Sequence, residues 1–331
     1  MIRQKGMALV LVLWVLSLLT IMAGSFALSM RRESAIVAGI KNNAQASAIA
    51  KSGIAMAEMM LLNPDLTKGW RADGNIYEIN ANNAKIRLRL SSEAGKIDIN
   101  KADETLLKSL MINAPLAEEQ QAKLVGAILD WRDEDDLVHL DGAEKQEYQD
   151  AGLSYLPRNK PFQSIEELQL VLGMNRTLFL WLEPFVTVYS GQPQVDIKVA
   201  TKEVLQVLPG LDKSLVDAYI LARLESAKNN LPVPPFAASS GMNTPIGQSS
   251  PIGQNPTGQN NAFTIVSEAF LVDGSRALIT AVIKKSGNTQ VTPSPFDVLK
   301  WQNVTANRAS LFTGAMNELL VKQYDEPELG N

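Results

Sequence analysis

A run of twenty-four uncharged residues, Met7 to Met30, lies close to the start of this 331-residue chain. As a helix rising 1.5 Å per residue, the run would span about 36 Å, enough to cross a bilayer with some tilt. Gly6 stands directly before the run and follows a short basic segment. A secretory signal carries its cleavage site after its apolar core. Cleavage between Gly6 and Met7 would instead leave the whole apolar helix on the mature protein, as an anchor or an assembly stem.

The helical pattern continues beyond the apolar run. Apolar residues keep helical spacing as far as Leu62, and Asn63-Pro64 ends the pattern. We therefore predict one helix from Met7 to about Leu62. It is apolar all round over 7–30 and amphipathic over 31–62, and its amphipathic half is expected to pack on a folded head.

Composition and the lack of catalytic motifs argue against several functional classes. The net charge is −4, which argues against a nucleic-acid partner because phosphate binding relies on clustered Lys and Arg. The chain has no cysteine and one histidine, so disulfides and thiolate metal sites are excluded. It also lacks a Gly-x-Ser-x-Gly elbow, a phosphate-binding Gly-rich loop and a His-Glu-x-x-His motif. We therefore predict that the protein is not an enzyme.

The rest of the chain has the order strands, helices, loop, strands. Strands are predicted at 76–79, 84–90, 263–272, 276–284 and 296–301. Helices are predicted at 106–110, 118–131, 164–172 (with a capping box at its start) and 176–183, and a short one at 311–322. We divide the chain into a leader (1–6), the two halves of the stem (7–30 and 31–62), the first strands of the head (63–95), an inserted helical domain (96–228), a flexible Pro/Gly/Asn-rich loop (229–262), the last strands (263–303) and a tail (304–331).

An internal repeat lies in the helical part. Lys96–Ala102 is similar to Gln194–Ala200, and each precedes a short helix, which is typical of a helix-hairpin-helix or SAM-like unit. Such units bind DNA through glycine amides, but Asp212 follows the Leu-Pro-Gly210 turn, and the first copy has no glycine there. We therefore interpret the repeats as structural or protein-binding units.

The strongest chemical signal is a cluster of seven carboxylates. Dense hard oxygen ligands suit calcium, and the cluster comprises Asp130, Asp133, Glu134, Asp135, Asp136, Asp141 and Glu144. Three of these fit an EF-hand loop, but Leu137 and Val138 replace a ligand and the glycine, so the loop is not an EF-hand. An irregular calcium loop and a solvated acidic turn both remain open. The candidate ligands are Asp133, Asp135, Asp136 and Glu144, whereas His139 is expected to face solvent.

Four features together resemble one known family, the minor pseudopilin K (GspK) proteins of type II secretion systems. They are the Gly6–Met7 junction with its stem, the acidic segment 130–136 with Gly142-Ala-Glu144 and Tyr148, the segment 159–173, and the repeated Asp-Ile motif with the final strands. The resemblance implies an α+β fold. In it, a pilin-like N-terminal helix packs on a small antiparallel sheet, and a large all-α domain, SAM-like or helix-hairpin-helix-like, is inserted.

The resemblance also implies a role and partners. Prepilin peptidase would cleave after Gly6 and methylate the amine of Met7. Pilin-like proteins usually carry a glutamate at the fifth mature position, where this chain has Leu11. That glutamate is thought to pair with the amine of a neighbouring subunit, and an unpaired carboxylate in the membrane costs about 3 kcal/mol. A leucine suits a subunit with no neighbour above it, at the filament tip.

The expected protein is thus a non-enzymatic assembly subunit in the inner membrane, with its head in the periplasm. Its expected partners are minor pseudopilins I and J, prepilin peptidase, the inner-membrane secretion platform and the secreted proteins. Calcium is the expected ion. The alternative is a single-pass membrane-anchored periplasmic binding protein whose helical domain recognises a ligand without assembly. Only the first interpretation requires cleavage after Gly6.

Overall fold

The computed structural model describes residues 7–65, 69–81, 83–236, 262–286, 294–304 and 310–325. Its helices are α1 (Met7–Leu61), α2 (Glu104–Met111), α3 (Glu118–Arg132), α4 (Lys145–Asp150), α5 (Arg176–Leu182), α6 (Lys202–Val207), α7 (Lys213–Lys228) and α8 (Gly314–Asn317). Its strands are β1 (Asp73–Ala81), β2 (Ala84–Ser92), β3 (Ile97–Asp98), β4 (Val186–Thr187), β5 (Ala262–Leu271), β6 (Arg276–Lys285), β7 (Phe296–Val304) and β8 (Leu320–Asp325).

The stem is a single helix of 55 residues, as the sequence predicts. Its buried residues are small or β-branched and lie near its C-terminal end: Ala46, Ala50, Gly53, Ile54 and Ala57. A Cβ on Gly53 would lie 2.5 Å from Ser267 Oγ on the sheet. The glycine therefore lets the helix backbone come close to the sheet, and the predicted packing of the amphipathic half is confirmed.

The head is a six-stranded sheet with the order β7-β6-β5-β2-β1-β8. The predicted strands on either side of the helical part are all present, and the β5–β6 hairpin turns at Gly274, whose φ is +88°. Neighbouring strands are antiparallel except that β8 runs parallel to β1. The α+β class is confirmed, but the sheet is mixed rather than antiparallel.

The C-terminal region differs from the prediction. A helix was expected over 311–322, but only Gly314–Asn317 is helical and β8 follows it. The strand is held by long-range contacts: Tyr324 is mostly buried, and its hydroxyl accepts a hydrogen bond of 2.9 Å from Trp70 Nε1. These contacts favour a strand that local sequence does not specify.

The helical part is inserted between two adjacent strands. β2 and β5 are antiparallel neighbours, and Ser92 at the end of β2 lies opposite Phe263 at the start of β5. The chain therefore leaves and re-enters the sheet at one corner. Between these points it forms its own core, around Leu107, Ile128 and Tyr148.

Buried polar groups join the insert to the sheet. Asp73 of β1 and Arg223 of α7 are both buried, with 3.6 Å between Arg223 Nε and Asp73 Oδ2, and Arg223 Nη2 also donates to the Asp73 carbonyl at 2.9 Å. At the same end of the sheet, the buried Glu93 carboxylate accepts hydrogen bonds from Thr187 in the insert and from Thr264 in β5. Two buried polar groups thus connect the insert to the sheet.

One predicted helix of the insert is shorter and of a different type in the structure. The segment predicted as a helix at 164–172 is a 3₁₀ turn, Ile165–Leu170, and Ser164 makes no side-chain capping bond there, so the capping box is wrong. Instead, Glu167 accepts a bond from the Gln163 amide and pairs with Arg158. The loop predicted at 229–262 falls mostly on residues outside those described.

Candidate functional site

Asp130 organises the acidic loop that follows α3. The residue is fully buried, and its carboxylate accepts three hydrogen bonds from the loop. His139 donates to Oδ1 through its backbone amide at 3.0 Å, and Nδ1 of its ring lies 2.5 Å from the same oxygen. The Ala143 amide donates to Oδ2 at 2.6 Å. One carboxylate at the end of the helix therefore fixes both the middle and the end of the loop.

Two glycines allow the acidic loop to lie close to α3. A Cβ on Gly142 would lie 2.0 Å from Asp130 Oδ2, and a Cβ on Gly126, one helical turn before Asp130, would lie 2.7 Å from the Gly142 backbone. The loop backbone thus lies directly on the α3 backbone. Gly126 is on the helix face that carries Asp130, because residues four apart share a face.

Beside Asp130, several buried oxygens have no hydrogen-bond partner among the described residues. They are Asp133 Oδ1, both carboxylate oxygens of Glu144 and Asn159 Oδ1. Burial and the nearby charges of Asp130 and Asp133 raise the pKa of Glu144 to about 7. Burial, and then Asp135, also raises the pKa of Asp133, which His139 partly offsets. The loop therefore concentrates negative charge that His139 and Arg132 offset only in part.

Asp135 and Asp136 lie on the exposed side of the loop. Both are exposed, and Asp135 Oδ1 accepts a bond of 2.9 Å from the Leu137 amide. Asn159 Nδ2 donates to the Asp135 carbonyl at 2.8 Å and to Asp136 Oδ1 at 3.0 Å. Asn159 has a φ of +49°, a conformation that asparagine tolerates better than most residues. It ties the loop to the segment before the 3₁₀ turn.

The structure thus separates the four predicted ligands into two pairs. Asp133 and Glu144 lie at the buried end with Asp130, whereas Asp135 and Asp136 line the exposed side. Ligand atoms of Asp130, Asp133 and His139 lie within 4.8 Å of one another, so a metal ion could contact all three. Sequence reasoning counted Asp130 among the carboxylates but not as a ligand, and it missed Asn159. Unpartnered carboxylate and amide oxygens are hard ligands, and this donor set fits calcium.

The second candidate site is the stem. The helix contains a window with a mean hydropathy of 2.5 and no burial within the protein, long and apolar enough to cross a membrane. Met7 is its first described residue and Leu11 is 66% exposed, while Gly6 lies outside the described residues. Among the described residues, the span holds no ionisable side chain before Arg31. An apolar helix that continues into a sheet-packed half is a pilin-like arrangement, and its apolar part fits a membrane anchor.

Comparison with known proteins indicates a particular family of pilin-like proteins. A family model described as Type II secretion system (T2SS), protein K, matches residues 75–191. The type II secretion system protein K of Klebsiella pneumoniae is 24% identical over 250 residues, which cover 68% of this chain and 76% of that protein. The protein of the same name from Aeromonas hydrophila is 26% identical over 56% of this chain and 63% of its own length.

A solved structure shares the fold. It is the GspK-GspI-GspJ complex of the type 2 secretion system of enterotoxigenic Escherichia coli, matched with a TM-score of 0.53 and 17% identity over 81% of this chain and 97% of that one. Residues 75–191 of the chain therefore match the type II secretion system protein K family, and both relatives carry that name. The proteins that the chain resembles are components of a secretion system, which supports the prediction that the protein is not an enzyme.

Proposed function

We propose that the protein is the minor pseudopilin at the tip of the type II secretion pseudopilus, where it initiates and caps the filament and supports export of folded proteins across the outer membrane. Its direct partners in this role are minor pseudopilins I and J. The solved relative that shares its fold forms a complex with GspI and GspJ, which supports this choice. The helix lies in the inner membrane with its N-terminus inside, and the head lies in the periplasm near the secretion platform.

The observation that carries the tip role is the apolar side chain of Leu11. Within the described span, no carboxylate needs the amine of a neighbouring subunit. The subunit can therefore be the last one in a filament without leaving a buried charge, which would cost about 3 kcal/mol. Replacing Leu11 with Glu should lower the yield of the complex with I and J, whereas Leu11→Ala should not. Equal yields from both variants would remove this argument.

The helical insert supports the same role. It adds its own core beside the sheet and is fastened there by Arg223 and Glu93. A subunit in the shaft has neighbours above and below, whereas a terminal subunit has room for a second domain. Bulk of this kind is compatible with the end of a filament.

Processing tests the proposal. The protein should be purified from its native membrane, and its intact mass and N-terminal sequence determined. We expect a chain that begins at N-methylated Met7 and co-purifies with I and J. Gly6→Leu should abolish cleavage and secretion, and Gly24→Leu, at a glycine with nothing within 4 Å of its Cβ position, serves as the control. Normal secretion by the Gly6 variant would support the anchored binding protein instead.

We further propose that the acidic loop binds calcium. Asp133, Glu144 and Asn159 would hold the ion through the buried oxygens that lack partners, and Asp130 would position the loop around it. A bound divalent cation would offset the charge that raises the pKa of Glu144. Calcium should raise the melting temperature of the detergent-solubilised protein, magnesium should do so less, and Asp133→Asn should remove the calcium effect. A melting temperature that calcium leaves unchanged would refute the site.

A further inference from the structure

The insert is linked to the sheet along one row of paired residues at one end of the strands. By strand register the row crosses from β1 to β7 through Asp73, Ser91, Thr264, Val282 and Lys300. At the β1 end, Asp73 pairs with Arg223 of the insert. In the middle, Thr264 donates to Glu93, and at the β7 end Lys300 pairs with Glu166 of the insert. These three links follow a line about 19 Å long across the strands.

The apolar cores of the insert and of the sheet are separate in the described part of the chain. The insert has two clusters of buried apolar residues, around Leu107 and around Val204, and half-buried neighbours such as Phe185 pack against both. The cluster beneath α1, around Leu88, shares no member with either of them. Units that are joined by a polar interface rather than by a common apolar core move relative to each other by default. The insert and the sheet are therefore two packed bodies connected by polar groups.

The chain passes from one body to the other within two residues. The Ser92 amide bonds to the Ala72 carbonyl on the sheet side at 2.8 Å, whereas the Ala94 carbonyl accepts a bond of 2.8 Å from the Asp196 amide of the insert. Glu93 lies between them, and its buried carboxylate accepts a bond from one threonine of each body. A hinge is formed by a few residues at the end of an element that absorb backbone rotation. Glu93 therefore has the position of a pivot in the middle of the row.

The two ends of the row are held unequally. At the β1 end, Arg223 and Asp73 are both buried, and separating them would leave buried charges without partners, which is strongly unfavourable. At the β7 end, the side chains of Lys300 and Glu166 are 18% and 39% exposed. An ion pair that is partly open to water contributes little to stability and is screened by salt. The β7 end is therefore the end that separates first.

We propose that the insert rocks on the sheet about Glu93, with the Arg223–Asp73 pair as its fixed end and the Lys300–Glu166 pair as a latch that opens and closes. The middle and the β7 end of the row are two strands apart, so a rotation of about 25° over about 10 Å would move the latch by about 4 Å. Opening would separate the 3₁₀ turn 165–170 from β7 while both cores stay intact. Only the head is involved, so the rocking does not depend on the function proposed above.

Spin labels can measure this motion, because the native chain has no cysteine. Gln169→Cys with Asp297→Cys spans the latch, and Lys228→Cys with Asn317→Cys spans the fixed end, where α7 lies against β8; all four positions are exposed. Distances are measured by double electron-electron resonance in the detergent-solubilised full-length protein, at about 0.05 M and about 1 M NaCl. We expect high salt to lengthen the latch distance by about 4 Å, as the lever arm predicts, and to leave the fixed-end distance unchanged.

Variants of the latch provide an independent measurement. Lys300→Gln should lengthen the latch distance at low salt, as high salt does in the wild-type protein. The matched control is Lys285→Gln, at an exposed lysine of β6 that forms no ion pair among the described residues, and it should change nothing. Exchanging the two charges, with Lys300→Glu and Glu166→Lys, should restore the closed distance, which would not follow if Lys300 acted only through packing.

Three results would overturn the proposal. The first is a latch distance that neither salt nor Lys300→Gln changes. The second is an equal change at the two ends of the row, because the insert would then loosen as a whole rather than rock. The third is an exchanged-charge variant that stays open, because attraction between the two charges would then not close the latch.

Discussion

Gly126→Ala tests whether the contact between α3 and the acidic loop has the importance assigned to it. The new Cβ would lie 2.7 Å from the Gly142 backbone, whereas ordinary contact begins at 3.4 Å. The loop must therefore move away by about 0.7 Å, because a backbone neighbour cannot rotate aside. That shift would stretch the bond of 2.6 Å between the Ala143 amide and Asp130 Oδ2 beyond the usual hydrogen-bond range.

The magnitude follows from two opposing effects. Losing a hydrogen bond to a charged group costs about 1.5–3 kcal/mol. Replacing a helical glycine with alanine returns up to about 1 kcal/mol. With the full alanine gain, the net loss is about 0.5–2 kcal/mol, or roughly 1–8 °C in melting temperature.

Thermal unfolding of the detergent-solubilised protein measures this loss, and hydrogen exchange of the Ala143 amide reports on the loop itself. Gly39→Ala is the matched control, because its Cβ would meet nothing within 4 Å and the helix should become slightly more stable. If Gly126→Ala were as stable as Gly39→Ala and its Ala143 amide stayed protected, the close contact would not hold the loop.

Two further predictions concern buried charges. Arg223→Met leaves the buried Asp73 carboxylate without its partner and should destabilise the protein by about 3–5 kcal/mol, with early proteolysis at the junction of insert and sheet. A second substitution, Asp73→Asn, should partly restore the stability of this variant. If it does not, packing rather than charge is responsible for the loss. In a calcium chelator, the pKa of Glu144 is about 7 in the folded state, above its ordinary value, so stability should fall as pH rises from about 4.5 to 7. Glu144→Gln should flatten that decline, and an unchanged pH profile would refute the assignment.

Sequence periodicity predicted the parts of the fold that local pattern specifies. The stem helix and the strands on either side of the insert were found because an apolar run, an alternating run and the Asp273-Gly274 turn carry their own signals. β8 was missed because its pairing with β1 depends on residues some 240 positions away, such as Tyr324 opposite Ile79. Nothing local distinguishes such a strand from a helix.

The acidic loop shows the same limit at the level of a site. Composition found the cluster, but the separation of its carboxylates depends on tertiary contacts. Asp130 is buried because Gly126 and Gly142 bring the loop onto α3, and Asn159 reaches the loop from a distant segment. A glycine four residues before a helical aspartate was the available signal, and it is too common to be decisive.

The position of the insert between β2 and β5 has a consequence for the order of folding. Pairing Ser92 with Phe263 closes a loop of about 170 residues, which costs about 3 kcal/mol more entropy than a short hairpin would. Once the insert has folded, the Asp196 amide bonds to the Ala94 carbonyl and much of that loop is already closed. The helical insert should therefore fold before β2 and β5 pair. During synthesis β5 emerges after the insert, so the direction of translation favours the same sequence of events.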